Sequence, residues 1–281
     1  MQTVYFGNTL INDAMLGSQR MDDAFTKFSG NDQNVINFVN ATGITNYDTI
    51  SALDTFVTTL KNDGIWSKLY SLYPFVGGTE QTNKYNLINT GSYLLAFTGS
   101  WGYNNNGISS NGTDTFADTS FTPTASVADY TKNSSLSVYV RTNTTSSGYD
   151  MGCEDIVVTR TYFISKNLSN TSQYDIGINA LTTPAAVTGS GFWIATVSGS
   201  SANNQRIFRD GSTIANQTNN ITSTPNARIY LAANNFRNIS TNSFTSESYS
   251  LASIGQGFTD TQASLYNTAV QTFQTTLGRN V

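Results

Sequence analysis

RIFRDGSTIA, residues 206–215, alternates apolar and polar residues on either side of Asp210-Gly211. Alternation at period two marks a strand with one buried face, and an Asp-Gly pair tolerates the positive φ angles of a type I′ turn. The stretch therefore predicts a β-hairpin. Outward from it, from about residue 84, the same period recurs between turn residues. It runs through SYLLAFTG (92–99), SLSVYVRT (135–142), IVVTRTYFIS (156–165), YDIGINA (174–180), FWIATVSG (192–199), ARIYLAAN (227–234) and SYSLASIG (248–255). Seven or more short strands of this kind predict an antiparallel sandwich.

Helical spacing appears on both sides of this block. In DTISALDTFVTTLKND (48–63), Ile50, Leu53, Phe56, Val57 and Leu60 share one face, Asp48 suits an N-cap, and Gly64 ends the run. IWSKLYSLY (65–73) reads as a second short helix broken at Pro74, with Trp66, Leu69 and Tyr73 as packing residues. After the last strand, Thr259 and Gln262 form a capping box. Tyr266, Ala269, Val270, Phe273 and Leu277 make an apolar stripe, and Gly278 closes the helix. At the other end YFGNTLI (5–11) is echoed by MLGSQRM (15–21), each reading as a short strand hinged at Gly7 or Gly17. Two such strands alone are marginal in water, so either they complete a sheet on a partner or they form one hairpin folded onto the same chain. The chain then divides into an N-terminal arm (1–30), a helical linker (31–83) and a sandwich with its C-terminal helix (84–281).

Composition removes whole function classes. The 281 residues carry a net charge of −4 and only 11% charged side chains, leaving no basic face for nucleic acid or an anionic membrane. No apolar run approaches the roughly 20 residues that cross a bilayer, and MQTVYFGNTL lacks the regions of a signal peptide. With no histidine, catalytic pairs and metal sites built on that residue are excluded within the chain. Cys153 is the only cysteine, so no intrachain disulfide forms, and it reads as a small core residue. Asn-x-Ser/Thr sequons occur about as often as the Asn, Ser and Thr content predicts and carry no message.

Seven pieces in the same order resemble a known module: GIWSKLYSLYPFVGGT (64–79), KYNLIN (84–89), TGSWGYNNNGISSNGTDTFADT (98–119), SLSVYVRTN (135–143), FRDG (208–211), RIYLAANN (228–235) and SIGQGFTDTQASLYNTAVQTFQTTLGR (253–279). Together they resemble the concanavalin A-like, laminin G-like jelly-roll module of structural proteins of tailed bacteriophages, crAss-like phages included. The resemblance implies a mainly β fold, an antiparallel jelly-roll sandwich preceded by a strand arm and a short helical segment. It also implies a virion protein assembled in the host cytoplasm, as a head fibre, capsid decoration or tail appendage. In the Trp-containing loop the matched residues are Gly99, Trp101, Gly107, Asn111, Gly112, Thr113, Ala117, Asp118 and Thr119, while Gly102 and Tyr103 replace the polar residues usual after the Trp. A free carbohydrate-binding module is the alternative.

Jelly rolls that bind sugars stack an aromatic face and present amides and carboxylates to hydroxyls. Trp101, Tyr103, Asn104, Asn111, Asp114 and Asp118 supply those types, and with so few charges the ligand expected is a neutral host-surface glycan. For Trp101 the alternative is that it packs inward and the glycines only permit the turns. A loop rich in Asp and carbonyls suits Ca²⁺ in outline, but no ligand set points to it and no cofactor is expected. A glucanase-type enzyme needs two carboxylates at alternate strand positions. Glu154-Asp155 are adjacent, Asp22-Asp23 lie in the arm, and Glu80 and Glu247 stand alone. The expectation is therefore a protein that is not an enzyme. Other virion proteins are the expected partners, with self-association, a trimer among the candidates, burying Phe6, Leu10, Ile11, Leu16 and Met21.

Overall fold

A computed structural model describes residues 31–123, 132–142, 144, 147–155, 161–168, 171–177, 181–182, 189–218 and 225–281, with four short strands between positions 4 and 20. Those strands are β1 (Val4–Phe6), β2 (Thr9–Ile11), β3 (Met15–Leu16) and β4 (Gln19–Arg20). Next come α1 (Gln33–Thr42), α2 (Tyr47–Asn62), β5 (Leu69–Tyr73) and α3 (Glu80–Asn83). The looped middle holds β6 (Ala96–Thr98), β7 (Gly102–Asn104), β8 (Gly107–Ser109) and β9 (Phe116–Asp118). Longer strands follow: β10 (Asn133–Val140), β11 (Met151–Glu154), β12 (Thr161–Leu168), β13 (Thr171–Gly177), β14 (Leu181–Thr182), β15 (Gly191–Ser198), β16 (Gln205–Arg209) and β17 (Ser212–Gln217). The chain closes with β18 (Tyr230–Leu231), β19 (Asn234–Phe236), β20 (Ser240–Asn242), β21 (Ser248–Gly255) and α4 (Asp260–Thr276).

Two sheets face each other, so the fold is the mainly β sandwich with a C-terminal helix that the strand pattern predicts. One sheet runs β17-β16-β15-β10-β21-β8-β7, with β5 also on β21. The other runs β14-β13-β12-β11-β18-β9-β6, with β19 and β20 attached through β11. Among the described residues all strand pairings are antiparallel except that of β11 with β19. Between the sheets Leu136, Val138 and Val140 of β10 meet Trp193, Ala195 and Val197 of β15 and Cys153, Tyr162 and Ile164 of the opposite sheet. The intervening Tyr139, Phe192, Ile194 and Leu251 point the other way, into a second core against the helices. The first sheet is thus covered on both faces, and β15 is buried at seven consecutive positions.

The helices are part of this packing. α2 follows its predicted bounds to within a residue, capped by Asn46 rather than Asp48, and its Phe56 stacks on Phe273 of α4 at 4.5 Å. α4 starts with the capping box of Thr259 and Gln262 as read. The Asp210-Gly211 hairpin is also as read, with φ of 48° and 80° at the two turn residues. By contrast, IWSKLYSLY is not a helix: after one 3₁₀ turn it becomes β5, paired with β21 from Leu69 to Tyr73. With both faces of β5 buried, apolar spacing gives no alternation to distinguish strand from helix. This also corrects the division at residue 83, because 31–83 contributes a sheet strand and half of the helical core instead of a linker.

Beyond α4, Arg279 turns inward and is wholly buried. Its Nη1 donates to Phe75 O at 2.7 Å and its Nη2 to Pro74 O at 2.7 Å and Ser250 O at 3.1 Å. These carbonyls belong to the turn after β5, where Phe75 holds φ 42°, and to β21. Burial lowers the guanidinium from its ordinary value.

YFGNTLI and MLGSQRM differ from their reading as single strands: each contributes both strands of a small hairpin, Val4 opposite Ile11 and Met15 opposite Arg20. Among the described residues each hairpin pairs only with itself. Phe6, Leu10, Ile11 and Leu16 lie on these strands, while Met21 is outside the described residues.

Candidate functional site

The loop region 98–119 carries the chain from an edge of one sheet to an edge of the other and back, since β6 and β7 are the outer strands of the two and β9 pairs with β6 again. The crossing is tight at Gly99, whose φ is 81° and where a Cβ would lie 2.7 Å from Asp114 O. Only glycine fits there without strain.

The residues expected to bind do not converge. Trp101 is 9% exposed and belongs to the inter-sheet core. Its Nε1 donates to Thr98 O at 2.9 Å and its ring meets Phe97 edge-on at 5.4 Å, so it offers no free stacking face. Tyr103 is half-buried, edge-on to Phe97 at 5.5 Å, with its hydroxyl 3.3 Å from Glu80 Oε2. Burial first, then the Glu80 charge, raise its phenol above the ordinary value. Asn111 spends its side chain on the loop: Oδ1 accepts from the Thr113 and Asp114 amides at 2.9 and 3.2 Å, and Nδ2 donates to Asp114 Oδ1 at 2.6 Å. Asp118 lies on the other sheet, where it accepts from Arg228 Nη1 at 2.9 Å and from Ser120 N at 2.7 Å. Beside it Phe116 stacks on Tyr230 at 4.7 Å.

Asn104 alone borders a cleft. It is a recess of about 230 Å³ lined by Asn104, Asn106, Gly107, Ile108, Ser109, Arg141, Thr142 and Ser248. Its origin is a fault in the sheet: β8 meets β21 over only two residues, and β10 slips register against β21 between Tyr139 and Val140. Past the slip, Arg141 N donates to Ser248 O at 2.8 Å, holding the wall together. On the rim, Asn104 Oδ1 accepts from Asn106 N at 2.7 Å and sets the β7–β8 turn. Ile108 points into the inter-sheet core, so Gly107 and Ser109 face the opposite side.

Behind the cleft lie buried carboxylates. Glu247 accepts from the hydroxyls of Thr142 and Thr144. Tyr249 donates to Asp150 Oδ1 at 2.9 Å and shares a hydrogen bond with the Thr245 hydroxyl at 2.7 Å. Burial first, then the charges of Asp150 and Glu247, push its phenol far up. Among the described residues no three His, Cys, Asp or Glu gather as a metal site, and no helix is long and apolar enough to cross a membrane. Cys153 sits in the core, its thiol raised by burial. The sequence reading missed Arg141, Thr142, Ser109 and Ser248. Arg141 is the one charged residue of the alternating run SLSVYVRT (135–142), and that is the one available signal.

No family model matches the chain, and no curated protein does. Solved structures do. A Trypanosoma rangeli sialidase in complex with 2,3-difluorosialic acid, a covalent intermediate, has a TM-score of 0.47 at 10% identity over 78% of this chain and 38% of its own. A mutant of that sialidase displaying trans-sialidase activity gives 0.48 at 10% identity over 81% and 39%. Domain 4 of AbnA, a GH43 extracellular arabinanase from Geobacillus stearothermophilus, in complex with arabinotriose, gives 0.39 at 15% identity over 70% and 97%. The chain spans about two fifths of the sialidases it matches. A likeness this distant transfers no activity, and it shows no phage or concanavalin A-like family. It does correct the expectation of a protein that is not an enzyme, because the structures similar to this sandwich include sialidases. Sialidases, with a tyrosine nucleophile, are among the exceptions to the paired-carboxylate rule, so a missing alternating Asp/Glu motif does not reach them.

Proposed function

We propose that the chain is a glycan-binding β-sandwich module whose site is the cleft between the β7–β8 turn and the bulged end of β10. The observation that carries this reading is the lining itself: Asn104, Asn106, Ser109, Ser248, Thr142 and Arg141, residues that bear amides, hydroxyls and a guanidinium, surround one recess. Sugar hydroxyls both donate and accept, and a wall mixing amide, hydroxyl and backbone groups answers both. Glycan-array binding by the intact chain tests it. Asn104→Ala should weaken a bound glycan about fivefold, the value of one hydrogen bond of ~1 kcal/mol. Binding untouched by Asn104→Ala but lost in Asp118→Ala would move the site to the Phe116–Tyr230 face of the other sheet, and an empty array would end the reading.

The finer reading is display of this module on a bacteriophage particle, as a head fibre, capsid decoration or tail appendage. It is supported by the seven ordered motifs and by the two N-terminal hairpins, each of which among the described residues pairs only with itself. Isolated two-stranded hairpins are marginal in water, and strand addition or self-association, as a trimer for example, would bury Phe6, Leu10, Ile11, Leu16 and Met21. Deleting residues 1–30 should leave a folded sandwich that no longer oligomerises or enters particles, read by light scattering and by mass spectrometry of purified virions. A truncated chain incorporated at normal copy number would overturn this role of the arm.

A further inference from the structure

The cleft holds one cation that the fold does not neutralise. Among the described residues Arg141 Nη1 is shut from solvent and has no hydrogen-bond partner, and none of the ion pairs involves this side chain. Glu247, next to Ser248 in the wall, is already taken up by the Thr142 and Thr144 hydroxyls. A second guanidinium, Arg279, lies near enough for the Arg141 charge to help lower it, and Arg279 in turn donates to carbonyls and lies over the Phe273 ring at 5.3 Å, with no carboxylate beside it among the ion pairs of the described residues. Arg279 is wholly buried and Arg141 partly so, and cations so placed without a counter-charge are costly in a chain of net charge −4. A planar guanidinium fork fits a carboxylate in two parallel hydrogen bonds, which an uncharged hydroxyl cannot match.

We infer that the cleft takes an acidic sugar, its carboxylate paired with Arg141 and its hydroxyls held by Asn104, Ser109 and Ser248. This rests on the glycan reading above and reverses the neutral ligand that the low charge content suggests. At about 230 Å³ the recess falls below the roughly 300–1,000 Å³ of drug-sized pockets, which suits one sugar unit more than a chain.

Titrating the isotopically labelled full chain with sodium glucuronate, glucose and sodium acetate, and following the amide resonances of Asn104, Ser109 and Thr142, tests the inference. Glucuronate should saturate these shifts at a concentration at least tenfold below either control, the margin of a charge-assisted pair. Arg141→Gln should bring glucuronate to the level of glucose, and Arg141→Lys, which keeps the charge but loses the fork, should fall between. An unchanged unfolding midpoint in Arg141→Lys guards against a mere folding defect. Glucose binding as tightly as glucuronate would overturn the acidic sugar and leave the glycan reading standing. Acetate matching glucuronate would overturn the sugar and point to a carboxylate of another kind, such as a peptide's. No saturable shift with any of the three would overturn both.

Discussion

Arg279→Ala is expected to lower the unfolding free energy by about 2–3 kcal/mol, the cost of three buried carbonyls left without donors, partly offset by the removal of a buried charge. The variant leaves the carbonyls of Pro74, Phe75 and Ser250 without their donors in a site closed to water. Those carbonyls lie in the left-handed turn after β5 and on β21, so the side chain fastens the last helix to the centre of the sheet. Natural domains have only ~5–15 kcal/mol to lose, and the effect should be plain in urea denaturation as a shifted midpoint at constant slope. Arg279→Lys should recover a minority of the loss, since an ammonium lacks the fork that reaches separate carbonyls. A change below about 1 kcal/mol in the alanine variant would mean that these acceptors find other donors.

The second large effect is alkaline unfolding. Tyr73, Tyr249 and Tyr266 are fully buried, and burial is the main cause that raises each phenol above its usual value near 10. Tyr73 donates to Tyr93 O at 2.6 Å and Tyr266 to Ser253 Oγ at 3.0 Å, so both stay neutral and satisfied in the fold. An unfolded chain sheds these protons near pH 10 while the folded chain keeps them. Stability is therefore intact below pH 10 and falls above it, by up to about 1.4 kcal/mol per pH unit for each tyrosine and about 4 for the three. Urea midpoints at pH 8, 10 and 11 read the slope, and Tyr266→Phe should lower it by up to about 1.4 kcal/mol per pH unit. In a titration followed at 295 nm these three phenols should ionise only with the cooperative loss of structure. A smooth titration of all 15 tyrosines near pH 10 in a chain that stays folded would overturn the expectation.

Local chemistry made parts of this fold legible. Asp210-Gly211 dictates its turn whatever surrounds it, and the Thr259–Gln262 box marks the start of α4 with two reciprocal hydrogen bonds inside a single turn. Where burial on both faces erases alternation, as in β5, the sequence reads equally well as helix. α1 went unspecified within a helical segment because its Asn-rich, β-branched stretch has weak propensity. It is held by the Asp32 cap and by Gly43 in the left-handed conformation. The cleft was the least legible part. Asn104, Arg141 and Ser248 come from three distant stretches, and what joins them is a register slip between β10 and β21 that no local pattern announces. For Trp101 the inward-packing reading holds. Its glycine-rich surroundings suggest an exposed loop, yet the same glycines let the chain fold tightly enough to carry the indole inside.

The central position of β21 governs the order in which this protein comes into being. Strand 248–255 lies between β10 on one side and β5 and β8 on the other, so the first sheet has a gap through its middle until residue 255 has left the ribosome. Vectorial, strand-by-strand assembly is closed to it. The nascent chain must wait with the unpaired edges of β5, β8 and β10 open to water, the condition under which slow, non-local β pairing invites intermolecular association. Holdase chaperones acting during synthesis should therefore raise its soluble yield more than any aid supplied after release.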